Sequence, residues 1–344
     1  MGSLHDSPKD SPVPIIDFSK FLNAESHAEK KQTANDIYTA FREVGFVYLV
    51  NHGIPLEKVN ECFNWSKKFF DLPLEEKMKC PHPPSGSYHR GYSGIGKEKA
   101  SQMVFDRDNI SEVRKVPDVK ESFECSREDD DLYPNIWPDP ATIPGFADFC
   151  MDYYWTARKT QINILHSIAI GMGLEEDYFD PFHTDAQNQL RLLHYPSVEE
   201  ESLRKGEKER IGAHSDFGTL TILVQDQCGG LEVQDPRSPG CFVPAPPVDG
   251  AIIVNIGDFL MRWSNDNLKS TLHRVRAPPI FEGTNDEVTG RKMTAPRYSI
   301  PYFCGANRDA TIDCIPGCWS ETKPKKYDPI NSEEYIAMRL NATY

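Results

Sequence analysis

The sequence predicts an α+β fold that is mainly β: a jelly-roll barrel with surrounding helices. Three observations lead to this prediction. Helical apolar spacing dominates the first half of the chain, short alternating apolar segments begin at about Gln189, and turn signals separate those segments. Several short strands at such spacing, after helices, favour a barrel covered by helices. The turn signals are Gly229-Gly230, Pro239-Gly240, Asp249-Gly250 and Gly257-Asp258.

The regular elements are predicted in chain order from their apolar spacing. A short strand at residues 13–18 precedes a helix at about 26–44, which ends where Gly45 can adopt a left-handed cap. A strand at 46–50, a helix broken near Pro73 and a long helix at about 146–172 follow. The strands predicted in the second half lie at about 189–195, 220–224, 231–234, 251–255 and 297–303.

Residues 80–138 are rich in glycine, proline, serine and charge, which indicates irregular structure. Gly91, Gly94 and Gly96 do not form a nucleotide-binding fingerprint, because no strand leads directly into them and no helix begins after them. Long loops in compact domains are often lids or binding loops. A mobile surface excursion is the alternative interpretation.

Composition limits the classes of partner. The chain has 344 residues, of which 39% are hydrophobic, so it can bury a sizeable core. A formal net charge of −14 disfavours nucleic acid and anionic membrane surfaces, because both would be repelled by the average protein surface. We therefore expect a small-molecule partner. The oligomeric state does not follow from the sequence.

Cysteine usage and the absence of targeting signals bear on location. Nine scattered cysteines, an odd number, fit a reducing compartment better than a disulfide framework. Cys314 and Cys318 lack a second pair, which disfavours a structural zinc site. No signal peptide is visible and no apolar run reaches membrane-spanning length. We therefore expect a cytoplasmic protein.

One domain is expected after a short leader. Residues 1–12 are polar and are predicted to be disordered, and residues 13–344 are predicted to form a single domain. Within that domain, a region of helices and strands spans 13–180, the jelly-roll core spans 187–307 and a C-terminal segment spans 308–344.

The candidate metal ligands are His214, Asp216 and His273. His214 and Asp216 are two residues apart on a strand-like segment, so both are expected to point into one interior. Two imidazoles and one carboxylate can occupy one face of an Fe(II) octahedron and leave three positions open. A bidentate co-substrate and dioxygen can use those positions. The pattern therefore predicts a non-haem iron centre.

A carboxylate-binding pocket is predicted beside the iron. Strand alternation puts Arg297, Ser299 and Phe303 on one face, and it puts Arg191 and Tyr195 on a common side of another strand. An arginine inside a barrel is costly unless an anion neutralises it. A guanidinium pairs with a carboxylate bidentately, so a short dicarboxylic keto acid would place its far carboxylate here.

Other histidines and acids near this region have simpler interpretations. His52 follows a strand in a glycine turn and His166 lies on a helix, so both are interpreted as structural imidazoles with hydrogen-bond partners. His194 has the opposite parity from Tyr195 and is expected to face away from the pocket. Asp258 lies in a Gly-Asp turn, which explains the residue without a metal.

These motifs resemble the isopenicillin N synthase-like branch of the 2-oxoglutarate/Fe(II)-dependent dioxygenases. The likeness runs from about Pro14 to the end of the chain. Within that branch it is similar to fungal thymine 7-hydroxylase-like enzymes. The motifs that carry it are the triad above, Arg90-Gly91-Tyr92-Ser93, Arg191 to Pro196, Met261 to Asp266 and Arg297 to Phe303.

The resemblance implies a helix-covered, cupin-like double-stranded β-helix and a hydroxylase that couples 2-oxoglutarate decarboxylation to substrate oxidation. It implies Fe(2+), 2-oxoglutarate and O2 as cofactors, with ascorbate as a supporting reductant. Iron would be held by the triad and 2-oxoglutarate by Arg297, Ser299 and Tyr195. The resemblance would also place Arg191 and Phe303 in the substrate pocket. Phe217, Phe303 and the loop around Tyr92 are expected to form the wall and lid of that pocket.

The substrate is expected to be a pyrimidine such as thymine or a fungal aromatic natural product. Phe217 stands where the thymine enzyme has a tyrosine, so this pocket lacks one hydroxyl. Two alternatives remain open from the residues: an iron oxidase of the isopenicillin N synthase or ACC oxidase type that uses no 2-oxoglutarate, and a non-catalytic small-molecule binding barrel.

Overall fold

The computed structural model describes residues 11–84, 88–97, 118–277, 285–286 and 289–341. Residues 1–10 of the predicted leader and residues 85–87 and 98–117 of the predicted irregular stretch lie outside the described residues. The helices of the described residues are α1 (Ser19–Leu22), α2 (His27–Glu43), α3 (Leu56–Phe70), α4 (Leu74–Lys77), α5 (Phe146–Gly171), α6 (Glu200–Arg204), α7 (Asp258–Trp263) and α8 (Ser332–Asn341), with a 3-10 turn at Asp180–Phe182.

The strands are short, as predicted for the second half of the chain. They are β1 (Ile15–Asp17), β2 (Phe46–Val50), β3 (Gly91–Ser93), β4 (Glu121–Cys125), β5 (Asn188–Tyr195), β6 (Ile211–His214), β7 (Leu220–Gln225), β8 (Leu231–Gln234), β9 (Phe242–Pro244), β10 (Ala251–Ile256), β11 (His273–Val275), β12 (Arg297–Cys304), β13 (Thr311–Ile312) and β14 (Ile330–Asn331).

Two sheets enclose the interior. The larger sheet has the strand order β1-β2-β10-β7-β12-β5-β4-β3, and the smaller has the order β6-β11-β8-β9. Apart from the parallel β1–β2 pair, neighbouring strands in both sheets are antiparallel. Residues from both sheets line one cavity. The jelly-roll core surrounded by helices is therefore confirmed.

Alternation along β7 shows how the sequence separates the helical core from the cavity. Leu220, Ile222 and Val224 belong to the core that includes the helices, whereas Thr221 and Leu223 line the cavity. Successive side chains of a strand point to opposite faces. One apolar face of the sheet therefore supports the helices while the other is available for a site.

Helix α2 begins and ends where the sequence predicts. The hydroxyl of Ser26 accepts a hydrogen bond from the Glu29 N–H at 3.2 Å, which caps the first turn. Gly45 follows the helix with φ +81°, and a Cβ there would lie 2.4 Å from the carbonyl oxygen of Lys269. Only glycine fits this position, so the helix ends here.

The prediction of irregular structure for residues 80–138 was wrong at two places. β3 and β4 lie within this stretch and form one edge of the larger sheet. Every residue of β4, Glu-Ser-Phe-Glu-Cys, is buried. The strand was missed because its inward side chains, Ser122 and Glu124, are polar and give no apolar alternation. These buried polar residues are tolerated because they have partners: Ser122 donates to Glu124, and Glu124 pairs with Arg191.

None of the nine cysteines, all of which lie within the described residues, forms a disulfide. Among the described residues, no helix combines the length and the apolar character that a membrane crossing requires.

Candidate active site

A cavity of about 300 Å³ lies between the two sheets. Nine of the ten residues predicted for the site line it: His214, Asp216, His273, Arg297, Ser299, Tyr195, Arg191, Phe217 and Phe303. The tenth, Tyr92, does not. The strands carrying these residues are far apart in sequence, so folding of the barrel brings the residues together.

His214, Asp216 and His273 form a compact cluster, called the triad below. The antiparallel register of β6 and β11 places His214 directly opposite His273, with ring centroids 4.2 Å apart. His273 Nε2 lies 3.8 Å from Asp216 Oδ1. One donor atom from each residue lies within 4.8 Å of the others. This donor set and spacing can hold a single ferrous ion.

Backbone carbonyls orient both imidazoles. Nδ1 of His214 lies 2.9 Å from the carbonyl oxygen of Gly212, and Nδ1 of His273 lies 3.2 Å from that of Thr271. A ring nitrogen that donates to a carbonyl leaves the other nitrogen with its lone pair exposed. Both Nε2 atoms are therefore available as ligands.

Asp216 is placed differently from the prediction. β6 ends at His214, so strand alternation does not extend to Asp216. Its Oδ2 instead accepts hydrogen bonds from Thr221 Oγ1 at 2.6 Å and Asn255 Nδ2 at 2.7 Å. These bonds leave Oδ1 directed toward His273. The triad thus depends on β7 and β10 as well as on the strands that carry the histidines.

The protonation states favour a metal. Burial, followed by the charge of the neighbouring His273, lowers the pKa of His214, so its imidazole is neutral near pH 7. Burial alone would raise the pKa of Asp216, but the two imidazoles and the two hydrogen bonds bring it below its ordinary value. A neutral imidazole beside a carboxylate is the form that binds a metal cation.

Arg297 is buried on the cavity wall with 1% of its surface exposed. Its Nη1 donates to Ser299 Oγ at 3.0 Å and its Nη2 to Gln225 Oε1 at 3.2 Å, and the guanidinium lies 5.0 Å from the centre of the Tyr195 ring. Among the described residues, no carboxylate lies within ion-pair distance of it, and its Nε has no hydrogen-bond partner. A buried guanidinium without a carboxylate partner would be stabilised by an anionic ligand.

Arg191 lies on the same wall, farther along β5. Its Nε lies 3.0 Å from Glu124 Oε1, and its guanidinium lies 5.4 Å from the centre of the Phe303 ring. The antiparallel register of β4 and β5 pairs Glu124 with Arg191. Glu124 also accepts a hydrogen bond from Ser122 Oγ at 2.8 Å. Arg191 is therefore held by both an acid and an aromatic ring.

His82, His89 and Glu124 form a second group with donors of the metal-binding type, called the arginine-linked cluster below. Their ligand atoms also lie within 4.8 Å of one another. Glu124 Oε2 lies 3.6 Å from His89 Nδ1 and 3.9 Å from His82 Nε2. Because the carboxylate of this cluster is ion-paired with Arg191, a positive charge is already present beside it.

Tyr92 corrects the predicted substrate pocket. Its ring packs against Phe69 in the helical core, and its hydroxyl donates to Glu121 Oε2 at 2.5 Å. In β3 the side chain points to the outer face of the sheet, so it cannot form a wall or lid of the cavity. Arg90, two residues earlier, lines the cavity instead.

The interpretations of the other histidines are confirmed. His194 stacks on Tyr298 with centroids 4.7 Å apart and lies outside the cavity lining. His166 Nε2 lies 2.9 Å from Asp180 Oδ1. His52 is buried and accepts a hydrogen bond from the Ile54 N–H at 3.3 Å. Each imidazole has a structural partner.

Sequence reasoning missed several residues of the cavity. Lys120 and four residues of α8 line it, and Asp258 is more than a turn residue, because its carboxylate pairs with Arg339. Alternation along β4 could have indicated Lys120 once the strand was recognised. No local signal indicates the pairing of Asp258 with Arg339. The lining residues of α8 are Ser332, Glu333, Ile336 and Ala337.

Two families match successive parts of the chain. Residues 13–140 match the N-terminal region of non-haem dioxygenases described for morphine synthesis. Residues 186–306 match the 2OG-Fe(II) oxygenase superfamily. The second match contains every residue of the triad, and it contains Arg297 with its neighbours Ser299, Gln225 and Tyr195.

Curated relatives and solved structures match nearly the whole chain. The proline hydroxylase buaE of Petromyces alliaceus is 40% identical over 335 residues, which cover 96% of this chain and 99% of the relative. The 2-oxoglutarate-dependent dioxygenase frbA of a Dothideomycetidae species is 38% identical over 339 residues, which cover 96% of this chain and 97% of the relative. The structure of full-length thymine 7-hydroxylase of Neurospora crassa with alpha-KG has a TM-score of 0.87 at 40% identity and covers 100% of both chains. The same enzyme has also been solved with alpha-KG and thymine, with the same TM-score and identity and with 99% and 100% coverage.

These matches settle the choice between the three interpretations that the residues alone left open. An enzyme that uses Fe(2+), 2-oxoglutarate and O2 agrees with the family and with the donor set of the cavity. The chain belongs to the 2-oxoglutarate/Fe(II)-dependent dioxygenases.

Proposed function

We propose that the triad holds the iron of this dioxygenase, that Arg297, Ser299 and Tyr195 bind 2-oxoglutarate, and that the remaining space takes a small cyclic substrate whose C–H or methyl group is hydroxylated. The observation that carries the proposal is that the triad and the buried Arg297 line the same cavity. A metal site and an anion site in one enclosed space suit a co-substrate that is both a chelator and an acid.

The triad fits Fe(II) by its donors. Two imidazoles and one carboxylate supply three ligands and leave the other positions of an octahedron to small molecules. Thr221 and Asn255 keep Asp216 from rotating, since both hold its second oxygen. When bound, the iron supplies the activation of dioxygen, and the protein supplies placement and the exclusion of water.

Arg297 fits the distal carboxylate of 2-oxoglutarate. A carboxylate at the guanidinium would satisfy the buried charge and Nε, and the Ser299 and Tyr195 hydroxyls can complete its hydrogen bonds. The opposite end of the acid would then reach the triad. Binding at both ends fixes the keto acid in one orientation, which the reaction requires.

The substrate wall is built from Arg191 and the two rings of Phe217 and Phe303. Arg191, held by Glu124, can donate to a carbonyl or carboxylate oxygen, and the rings can pack on the faces of a planar or saturated ring. The relatives named above include a proline hydroxylase and an enzyme solved with thymine, and both names refer to small ring compounds of this kind. We infer a ring substrate with an oxygen acceptor.

The test is a substrate screen with purified protein, Fe(II), ascorbate and 2-oxoglutarate. Thymine, L-proline and methylated aromatic acids are the first probes. The expected result is substrate-dependent succinate formation with a product heavier by one oxygen atom. Oxidation of a probe at an equal rate without 2-oxoglutarate would contradict the proposed role of Arg297. Failure of every ring compound, with turnover of an acyclic one, would contradict the substrate class.

A further inference from the structure

The C-terminal helix α8 forms part of the cavity wall. Ser332, Glu333, Ile336 and Ala337 line the cavity, and their spacing of four residues places them on one helical face. An adjacent face carries Tyr335 and Arg339, which are also four residues apart. That face is directed toward the loop that follows β6.

Arg339 anchors the helix to this loop. Its side chain is 2% exposed and pairs with the carboxylate of Asp258. Its Nη2 also donates to Ser215 Oγ at 3.5 Å, and its guanidinium carbon lies 4.3 Å from the centre of the Phe217 ring. A buried guanidinium is stable only where such partners meet it. The docking position of α8 is therefore fixed by this contact.

The same contact reaches the triad. Ser215 lies between His214 and Asp216 and donates its hydroxyl to Asp258 Oδ2 at 2.9 Å. The Asp258 N–H donates to the backbone oxygen of Asp216 at 2.8 Å, and the Phe259 N–H donates to that of Phe217 at 3.1 Å. One carboxylate thus joins the loop of the iron ligands, the start of α7 and the end of α8.

Phe217 has different surroundings on its two sides. It lines the cavity, where the proposed substrate binds, and it meets the guanidinium of Arg339. A cation held against a ring face stabilises one ring orientation. The next residue, Gly218, packs so closely that a Cβ there would lie 2.3 Å from the carbonyl oxygen of Cys304. The backbone of this loop is fixed, so the orientation of the ring depends on Arg339.

We propose that Arg339 is a positioning residue for the substrate: it holds the ring of Phe217 against the substrate and couples the docking of α8 to the shape of the pocket. The inference rests on the proposed function of the cavity. It assigns a role in substrate selection to a residue that does not line the pocket, and it makes helix α8 part of the active site.

The test compares Arg339→Met with Arg262→Met. Arg262 on α7 lies 4.7 Å from the Tyr327 ring, outside the cavity lining, so its replacement removes a similar contact away from the site. With thymine and L-proline as probes, Arg339→Met is expected to raise the KM of the accepted probe about tenfold and to increase the succinate formed per product. The KM for 2-oxoglutarate should stay within about twofold. Arg262→Met should change neither KM.

A double-mutant cycle with Phe217→Leu tests the route of the effect. If Arg339 acts through the ring, its replacement raises the probe KM in the wild-type background and has little further effect in the Phe217→Leu background. Equal effects in both backgrounds would overturn the inference. Should Arg339→Met fail to fold, Arg339→Lys carries the test, because lysine keeps a cation for Asp258 but loses the planar contact with the ring.

Hydrogen exchange provides a readout that needs no substrate. Arg339→Met is expected to raise amide exchange in residues 215–219, whereas Arg262→Met leaves that segment unchanged. Unchanged exchange there in both variants would overturn the inference. If the wild-type protein oxidises no ring compound, the proposed substrate class fails by itself, and the exchange comparison still decides the role of Arg339.

Discussion

The triad and the arginine-linked cluster contain the same donor types, two imidazoles and one carboxylate, but their surroundings differ. In the triad, both histidines use Nδ1 on a backbone carbonyl, and Asp216 is held by two neutral donors. In the arginine-linked cluster, Glu124 is ion-paired with the guanidinium of Arg191. The partner of the carboxylate, rather than the set of donors, distinguishes the two.

The supporting secondary structure differs in the same way. His214 and His273 lie opposite each other in adjacent strands, so the backbone register fixes their separation. His82 and His89 lie outside helices and strands, and their rings are 5.2 Å apart at a steep angle. A metal site needs ligands held in place before the ion arrives. We therefore propose that iron binds at the triad and that the arginine-linked cluster orients Arg191.

The largest expected effect separates the clusters directly. Asp216→Ala removes a proposed iron ligand, so substrate-dependent succinate formation should be abolished and iron should be lost from the purified protein. Glu124→Ala should retain iron at the wild-type ratio. Metal analysis after reconstitution measures both. Two iron atoms per wild-type chain, falling to one in Glu124→Ala, would contradict this proposal, because the arginine-linked cluster would then hold a metal as well.

The next effect concerns the two arginines of the cavity. Arg297→Met should raise the KM for 2-oxoglutarate by about two to three orders of magnitude, because it removes the buried guanidinium proposed to pair with the carboxylate of this acid. Arg191→Met is the matched control, since its guanidinium belongs to the substrate wall. It should raise the KM of the substrate and leave that of 2-oxoglutarate within about twofold. If Arg297→Met raised only the substrate KM and Arg191→Met only the KM for 2-oxoglutarate, the roles proposed for the two arginines would have to be exchanged.

The His214 and Asp216 part of the triad could be predicted from sequence because its signal is local. His214 and Asp216 are close in the chain, and turn signals mark the strands around them. Alternation along β12 also placed Arg297 and Ser299 on one face correctly. The reason given for Asp216 was nevertheless incomplete, since hydrogen bonds from Thr221 and Asn255 hold it beyond the end of the strand.

The arginine-linked cluster and the α8 contact could not be predicted for the same physical reason. Glu124 lies on a strand whose polar inner face hides its alternation, and Arg339 meets Asp258 across a separation of 81 residues. Tyr92 was expected at the pocket because it lies in a long predicted loop, although the parity of a three-residue strand decides its direction. Pairings between distant segments depend on tertiary packing, which a local pattern does not encode.

His183 lies outside both clusters, and its buried imidazole should make the stability of the protein sensitive to acid. Burial lowers the pKa of His183 to about 4, and its two ring nitrogens lie 2.8 Å from Phe179 O and 3.1 Å from Thr219 Oγ1. Because the pKa of His183 is lower in the folded protein than its ordinary value, the unfolded chain binds more protons as the pH falls. The contribution of His183 to the free energy of unfolding is therefore fully present above about pH 6.5 and is lost as the pH falls toward 4.

His183 should contribute about 3 kcal/mol to this loss. In His183→Asn, the free energy of unfolding measured in urea between pH 7 and pH 5 should fall less steeply than in the wild-type protein. His52, whose pKa burial also lowers to about 4, should account for a further part of the slope. If the free energy of unfolding depends on pH in the same way in the wild-type protein and in His183→Asn, groups other than His183 cause the loss of stability in acid.

The smallest expected effect tests the role of the arginine-linked cluster within the reaction. Glu124→Gln keeps the shape of the side chain but removes the charge that holds Arg191, so the substrate KM should rise about tenfold. Glu121→Gln is a matched control on the same strand, because Glu121 points to the opposite face and pairs with Lys77. It should lower the free energy of unfolding without changing the substrate KM. If both variants change stability alone, Glu124 orients nothing that touches the substrate, and Arg191 would have to be held by the Phe303 ring.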